Sequence, residues 1–254
     1  MIDTHTHLYL NEFEDGGEQA VRRALDSGIN YLIFPNVDES TVGPMIALHD
    51  LFPDQTAMAM GLHPTEVDHD WSKIIESVEN RIQNGGYVAV GEVGIDLYWE
   101  KDKGDLQKKA LAMQIKIAEN YSLPVIIHCR EALDEIIEVL KSTKPDVPLI
   151  FHSFTGSPED VKKIRGVCSP YFGINGVVTY KNAQSLREAL HEIGTDKIVL
   201  ETDSPYLSPV PLRGKRNESS NLKFIRDRIA LETGHSPEAI EEITDTNARL
   251  IFGL

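Results

Sequence analysis

Histidines and carboxylates stand where short apolar runs of this chain end. His5 and His7 follow the run MIDTH (1–5), Glu92 ends YVAVGE (87–92), and His128 ends PVIIH (124–128). His152 ends VPLIFH (147–152) and Asp203 ends KIVLETD (197–203). Short apolar runs bounded by polar residues read as buried strands, and a strand end is a rigid mount for a side chain. Imidazole and carboxylate are the donors that hold zinc and similar divalent ions. Donors on separate strands, always at the same end, imply one metal site built by one sheet. A divalent cation there would activate water, so the pattern points to a metal-dependent hydrolase.

The spacing sorts these residues into roles. In extended chain, positions i and i+2 point the same way, so His5 and His7 both reach one ion. Glu92 has two oxygens and can bridge two cations; Gly91 and Gly94 beside it allow close backbone approach. His128 and His152, on consecutive strands, add imidazole donors. Asp203 ends the last strand, next to the first in a closed barrel, and can both bind metal and take a proton from the reacting water. We therefore expect Asp203 and Glu92 to be catalytic. Glu201 shares the face of Asp203 and is expected to accept the ring N–H of a metal-binding histidine. Asp96 is either such a partner or a turn residue. His63, in Gly61-Leu62-His63-Pro64, and Arg130, two residues past His128, are expected to bind substrate, since a guanidinium fork matches a phosphate. Ser153 to Gly156 would shape the pocket. His49, His69, His191 and His235 read as surface. Four histidines suit zinc or manganese, whereas magnesium prefers oxygen donors.

These ligands need elements to position them, and strand and helix patterns alternate along all 254 residues. Further strands are expected at 30–35, 57–63 and 171–176, making eight. Helices are expected near 17–27, 38–51 with Asp38 or Ser40 as cap, 69–83, 104–121, 131–142, after Ser157-Pro158, 183–193, 219–233 and 237–252. In the 104–121 helix, Leu106, Ala110, Met113, Ile117 and Tyr121 would lie along one apolar face. Continuously apolar strands are buried on both faces. Eight strand–helix units favour a (β/α)8 TIM barrel of about 250 residues, α/β in class, with extra C-terminal helices. No composition break divides it, so we expect a single domain over 1–254.

Net charge is −15, which argues against a broad nucleic-acid surface. It does not exclude a nuclease whose two cations supply positive charge locally. Arg213, Lys215 and Arg216, after the last strand, either guide a polyanion or balance acidic surface. Tyr98, Trp99 and Tyr206 are stacking platforms for single strands or core residues. No apolar run reaches the ~18–20 residues of a membrane span. Cys129 and Cys168 make no disulfide framework, and the first strand leaves no room for a leader; a cytoplasmic location is the expectation.

The motifs resemble those of the TatD family of metal-dependent deoxyribonucleases, among the amidohydrolase-like barrels. They are DTHTHL (3–8), GLHP (61–64), GEVGIDLYW (91–99), VIIHCRE (125–131), FHSFTG (151–156), ETDSPYL (201–207), GKRNES (214–219) and TNARLIFGL (246–254). The resemblance runs nearly end to end. It implies that His5, His7, Glu92, His128, His152 and Asp203 ligate two divalent cations with Glu92 shared. It also implies hydrolysis of DNA phosphodiesters, often from the 3′ end with magnesium; DNA, as single strands or 3′ ends, is the expected partner. Two departures stand out: Ile95-Asp96-Leu97 where the family often has Leu-Asp-Tyr, and Ser219 where it often has Pro. The second leaves the loop after the last strand less constrained. The rival reading is amide or ester hydrolysis on the same barrel. Many relatives in that wider group bridge their metals with a carboxylated lysine, where this chain has Glu92. A non-catalytic metal-binding protein is the other rival, disfavoured because Asp203 beside an open mouth serves no closed structural site.

Overall fold

A computed structural model describes residues 1–254. Eight strands form one all-parallel sheet in sequence order: β1 (Ile2–Asp3), β2 (Tyr31–Pro35), β3 (Thr56–Met60), β4 (Tyr87–Asp96), β5 (Val125–Arg130), β6 (Leu149–Phe151), β7 (Tyr171–Ile174) and β8 (Ile198–Leu200). Between them run the helices α1 (Gly17–Asp26), α2 (Glu39–Leu51), α3 (Trp71–Gln83), α4 (Gly104–Tyr121), α5 (Leu133–Thr143), α6 (Pro158–Arg165) and α7 (Gln184–Ile193). Helices α8 (Leu222–Thr233) and α9 (Pro237–Phe252) follow β8. The architecture is the expected TIM barrel with added C-terminal helices. No helix is long and apolar enough to cross a membrane.

The seam between the first and last strands is closed just beyond their ends. Thr4 N donates to Leu200 O at 3.0 Å, Asp203 N to His5 O at 2.9 Å, and His7 N to Ser204 O at 2.8 Å, and Thr6 pairs with Ser204. The buried Asp3 carboxylate reinforces the seam, accepting from Thr202 N at 2.9 Å and Thr202 Oγ1 at 2.6 Å. Thus β1 itself is shorter than expected: the chain bends at Thr4 and His5, yet main-chain bonds to the chain of both neighbouring strands hold residues 4–7 in the barrel wall.

Inside the barrel one apolar layer gathers Ile2, Ile33, Ala59, Ala89, Ile126, Ile150 and Val199, closed from below by Ala248, Ile251 and Phe252 of α9. Two residues further along β5, β6 and the β8 exit come His128, His152 and Glu201. The period of two therefore stacks the polar layer on an apolar floor. Outside the barrel a larger cluster packs the other strand faces against the helices.

Local signals explain the helix starts. Asp38 caps α2 with a reciprocal bond to Thr41, which resolves the cap to Asp38. Ser157 and Asp160 cap α6 reciprocally, with Pro158 in the first turn. Three expectations need correction. Residues 219–221 form a 3-10 turn, so α8 begins at Leu222. Met113 is 44% exposed, while α4 instead buries Gln107 and Gln114, because their amides hold main chain of the barrel. Gln107 accepts from Asp96 N at 2.7 Å, and Gln114 accepts from Leu62 N at 2.7 Å and donates to Leu62 O at 3.2 Å. His49 is half-buried rather than surface: its Nδ1 meets Thr56 Oγ1 at 2.8 Å.

Candidate metal centre

Side chains from residues 5 to 203 meet at the C-terminal mouth of the barrel. Not all of them sit at strand ends. Glu92 lies inside β4 and His128 inside β5, because these two strands pair on through Asp96 and Arg130 and raise one lip of the mouth. The ladder shifts register between Val90 and Val93, which takes Glu92 out of regular pairing. Gly94, at φ +154°, makes this possible: a Cβ there would stand 1.9 Å from His128 O.

Glu92 is the centre of the arrangement. Its Oε2 faces His5 Nε2 at 3.2 Å and His7 Nε2 at 4.0 Å. Its Oε1 faces His128 Nδ1 at 2.7 Å, His152 Nε2 at 3.5 Å and His63 Nε2 at 3.5 Å. Asp203 Oδ1 lies 3.6 Å from His7 Nε2, 4.0 Å from His5 Nε2 and 3.9 Å from His152 Nε2. The two oxygens of one carboxylate thus look toward two different sets of imidazoles. His5, His7 and Glu92 form one compact donor group, and His63, Glu92 and His128 another. All six expected ligands converge, and His63 converges with them.

Second partners orient the rings. His128 Nε2 meets Asp96 Oδ2 at 3.0 Å, while Asp96 Oδ1 accepts from Tyr98 N and Trp99 N at 3.0 and 2.9 Å. Asp96 is therefore both ring partner and turn residue, one oxygen for each. His152 Nδ1 lies 3.0 Å from Glu201 Oε1, off the line of a good hydrogen bond, while the same oxygen accepts from Ser153 N at 2.6 Å. Gly173 leaves room for Glu201: a Cβ there would fall 2.0 Å from its Oε2. Tyr9, which sequence reasoning passed over, places its hydroxyl 2.8 Å from His7 Nδ1 and donates its proton to Pro35 O. That oxygen must then accept from His7 Nδ1, leaving His7 Nε2 with its lone pair facing the cluster. Only the position of Tyr9, two past His7, hinted at this contact.

The charges show what the site would accept. Burial alone would raise the Glu92 carboxyl, but His152, His63 and His5 around it hold it well below the usual carboxylate range. Asp203 is likewise lowered against its burial by His152, His7 and His5. Burial opposes a charge on His128 and His152, yet Asp96 and Glu92 lift His128 to about 9, and Glu201, Glu92 and Asp203 lift His152 to about 10. His5 goes the other way, to about 4, through burial and the neighbouring His152 charge. The His5 and His7 Nε2 atoms face each other at 3.1 Å, and the buried His5 Nδ1 has no partner. Carboxylates here collect positive charge in the form of protons. Divalent cations satisfy the same demand, so the donor set fits them. Its mixture of imidazoles and carboxylates suits zinc or manganese better than magnesium.

Around the centre, His63 Nδ1 accepts from Thr65 N at 3.3 Å and contacts Thr65 Oγ1 at 2.7 Å. Accepting at Nδ1 leaves the proton on Nε2, which suits a donor and not a metal ligand. Arg130 stands exposed at the lip over the Tyr98 ring, 4.0 Å from its centroid. Arg216 is tied to Asp15 and Glu218, whereas Arg213 lies over Tyr180 and, like Lys215, makes no ion pair. Tyr98, Trp99 and Tyr206 are 51%, 64% and 49% exposed, so core packing does not account for them.

The chain is similar to known proteins in sequence and in fold. A family profile described as TatD related DNase matches residues 2–253. YabD of Bacillus subtilis (strain 168), an uncharacterized metal-dependent hydrolase, is 34% identical, covering 99% of this chain and 98% of its own. The Pectobacterium parmentieri (strain WPP163) protein named 3′-5′ ssDNA/RNA exonuclease TatD is 32% identical, with 100% of both chains covered. The crystal structure of YJJV, a TatD homolog from Escherichia coli k12, superposes with a TM-score of 0.92 at 24% identity, over 100% of this chain and 98% of that one.

Proposed function

The chain belongs to the TatD related DNase family and is a metal-dependent hydrolase; from that premise we propose that it cleaves phosphodiester bonds at the ends of single-stranded DNA, working from the 3′ end. One observation carries this reading: the two oxygens of Glu92 face separate imidazole sets, as a shared ligand of two cations must. Glu92 Oε2 with His5, His7 and Asp203 would hold one ion, and Glu92 Oε1 with His128 and His152 the other. Bound there, the pair would acidify water and neutralise the phosphoryl group. Asp203, kept ionised by its histidines, takes the proton of the attacking water. His63 donates from Nε2 to a phosphoryl oxygen, and Arg130 pairs with a phosphate at the rim. Asp96, Glu201 and Tyr9 fix the rings of His128, His152 and His7.

The exonuclease named among the relatives supports a single-stranded substrate. Amide hydrolysis through a carboxylated lysine finds no support, since no lysine is among the buried residues. The reading takes residues 1–254 as one catalytic domain. It assigns the protein to the cytoplasm, which suits two free cysteines.

The test is cleavage of oligonucleotides labelled at either end, with zinc, manganese or magnesium added to chelator-treated protein. Asp203→Asn and His128→Ala should each lower the rate at least about 100-fold. Wild-type rates in both variants would reject the mechanism, and loss of the 5′ label first would reject the polarity.

A further inference from the structure

The loop leaving β4 carries a feature that the metal centre does not use. Tyr98 and Trp99 are exposed to 51% and 64% at the lip of the mouth. Their rings meet edge to face, with centroids 4.8 Å apart and planes at 88°. Arg130 covers both, its guanidinium carbon 4.0 Å from the Tyr98 centroid and 5.5 Å from that of Trp99. No carboxylate pairs with Arg130. The one beside it, Asp96, is taken up by His128 and by the backbone N–H groups of Tyr98 and Trp99.

We propose that Tyr98, Trp99 and Arg130 form a seat for one unpaired nucleobase of the substrate strand. An exposed indole and phenol offer flat π-faces to a flat ring, and stacking of this kind accepts any base. The guanidinium above them can stack on that ring or take the adjoining phosphate. A nucleotide carries both groups within reach of each other. In a molecule of net charge −15, a cation left without a carboxylate at the mouth marks where a polyanion is admitted. A base inside a duplex has no free face, so the seat selects unpaired nucleotides.

The seat is also coupled to the metal centre. Asp96 holds Tyr98 and Trp99 through Oδ1 and the ring of His128 through Oδ2, and His128 reaches Glu92 Oε1 at 2.7 Å. A single carboxylate thus sets the distance between the stacked base and the phosphate to be cleaved. This part of the inference rests on the nuclease reading above; the stacking itself does not.

Fluorescence of Trp99 tests it. Trp71→Phe leaves Trp99 as the only tryptophan, and Asp203→Asn slows turnover. Titrating that zinc-loaded protein with a single-stranded oligodeoxynucleotide should quench the emission saturably. A strand of equal length with abasic terminal nucleosides should bind about tenfold more weakly. With these surface residues replaced, Tyr98→Ala and Trp99→Ala in otherwise native protein should raise KM about tenfold for the normal strand, leave kcat nearly unchanged, and abolish the preference over the abasic strand. Absence of quenching, equal quenching by both strands, or an undiminished base preference in the alanine variants would each overturn the seat. Base-dependent quenching by a native protein that cleaves no strand would remove the nuclease reading and leave the seat standing. Cleavage indifferent to terminal bases would do the reverse.

Discussion

At the scale of single residues, the centre is a competition between protons and cations. His128 and His152 are lifted to about 9 and about 10 by the carboxylates facing them, so metal must displace those protons to bind. Zinc affinity should therefore rise with pH from about 6 to 9, with protons released on binding; calorimetry in buffers of different ionisation heat measures both. Stability follows the same groups. Each histidine has a folded value above its ordinary 6.5, so its contribution is complete below about pH 6.5 and is lost as pH rises through 9 to 10. Chelator-treated protein should lose Tm over that window more steeply than zinc-loaded protein, and parallel Tm curves would contradict this. The six side chains that converge at the mouth were legible from residue type and position. Tyr9 was barely so: its place two residues past His7 is a faint hint, and only the backbone turn brings its oxygen to the ring. The double use of Asp96 was equally hidden, since only coordinates separate its two oxygens.

At the scale of elements, two glycines and two glutamines do the positioning. Gly173→Ala would drive a methyl into the Glu201 carboxylate, so a loss of about 1–3 kcal/mol is expected, together with weaker metal binding as His152 loses its support. Denaturant unfolding with parallel metal titration measures the two effects. Ser157→Ala removes the cap of α6, whose side-chain partner is Asp160, and should cost about 1 kcal/mol in denaturant unfolding. The order and type of strands and helices could be read from apolar runs and caps, because those signals are local. Strand lengths could not. β4 runs four residues past Glu92 because Val93 to Asp96 find partners on β5, a long-range pairing. The buried stripe of α4 was misjudged at Met113 for a related reason: counting apolar residues overlooks Gln107 and Gln114, which are buried to hold main chain of other elements.

At the scale of the whole molecule, charge sets how substrate is held. Arg130, Arg213 and Lys215 are cations of the mouth without an ion pair, in a chain of net charge −15. Three contacts predict a shallow salt dependence, with log K falling by about 2 per decade of salt for a single strand. A slope near −6 in a filter-binding or anisotropy series would show a basic surface that the fold does not have. Metal should also act as a global stabiliser, because its ligands tie together opposite walls of the barrel. Zinc at 100 times its Kd would add about 2.7 kcal/mol, a rise of roughly 5–10 °C in Tm for a chain of this size, reversed by chelator.

The seam joining residues 4–7 to residues 200–204 has a consequence for how the enzyme matures. His5 and His7 leave the ribosome some two hundred residues before Asp203. A nascent chain therefore carries these imidazoles long before the last strand closes the barrel and Asp203 completes the cage. Loading with metal is expected to be a closing event of assembly, and a fragment stopping at residue 196 that bound zinc as tightly as the complete chain would refute that order.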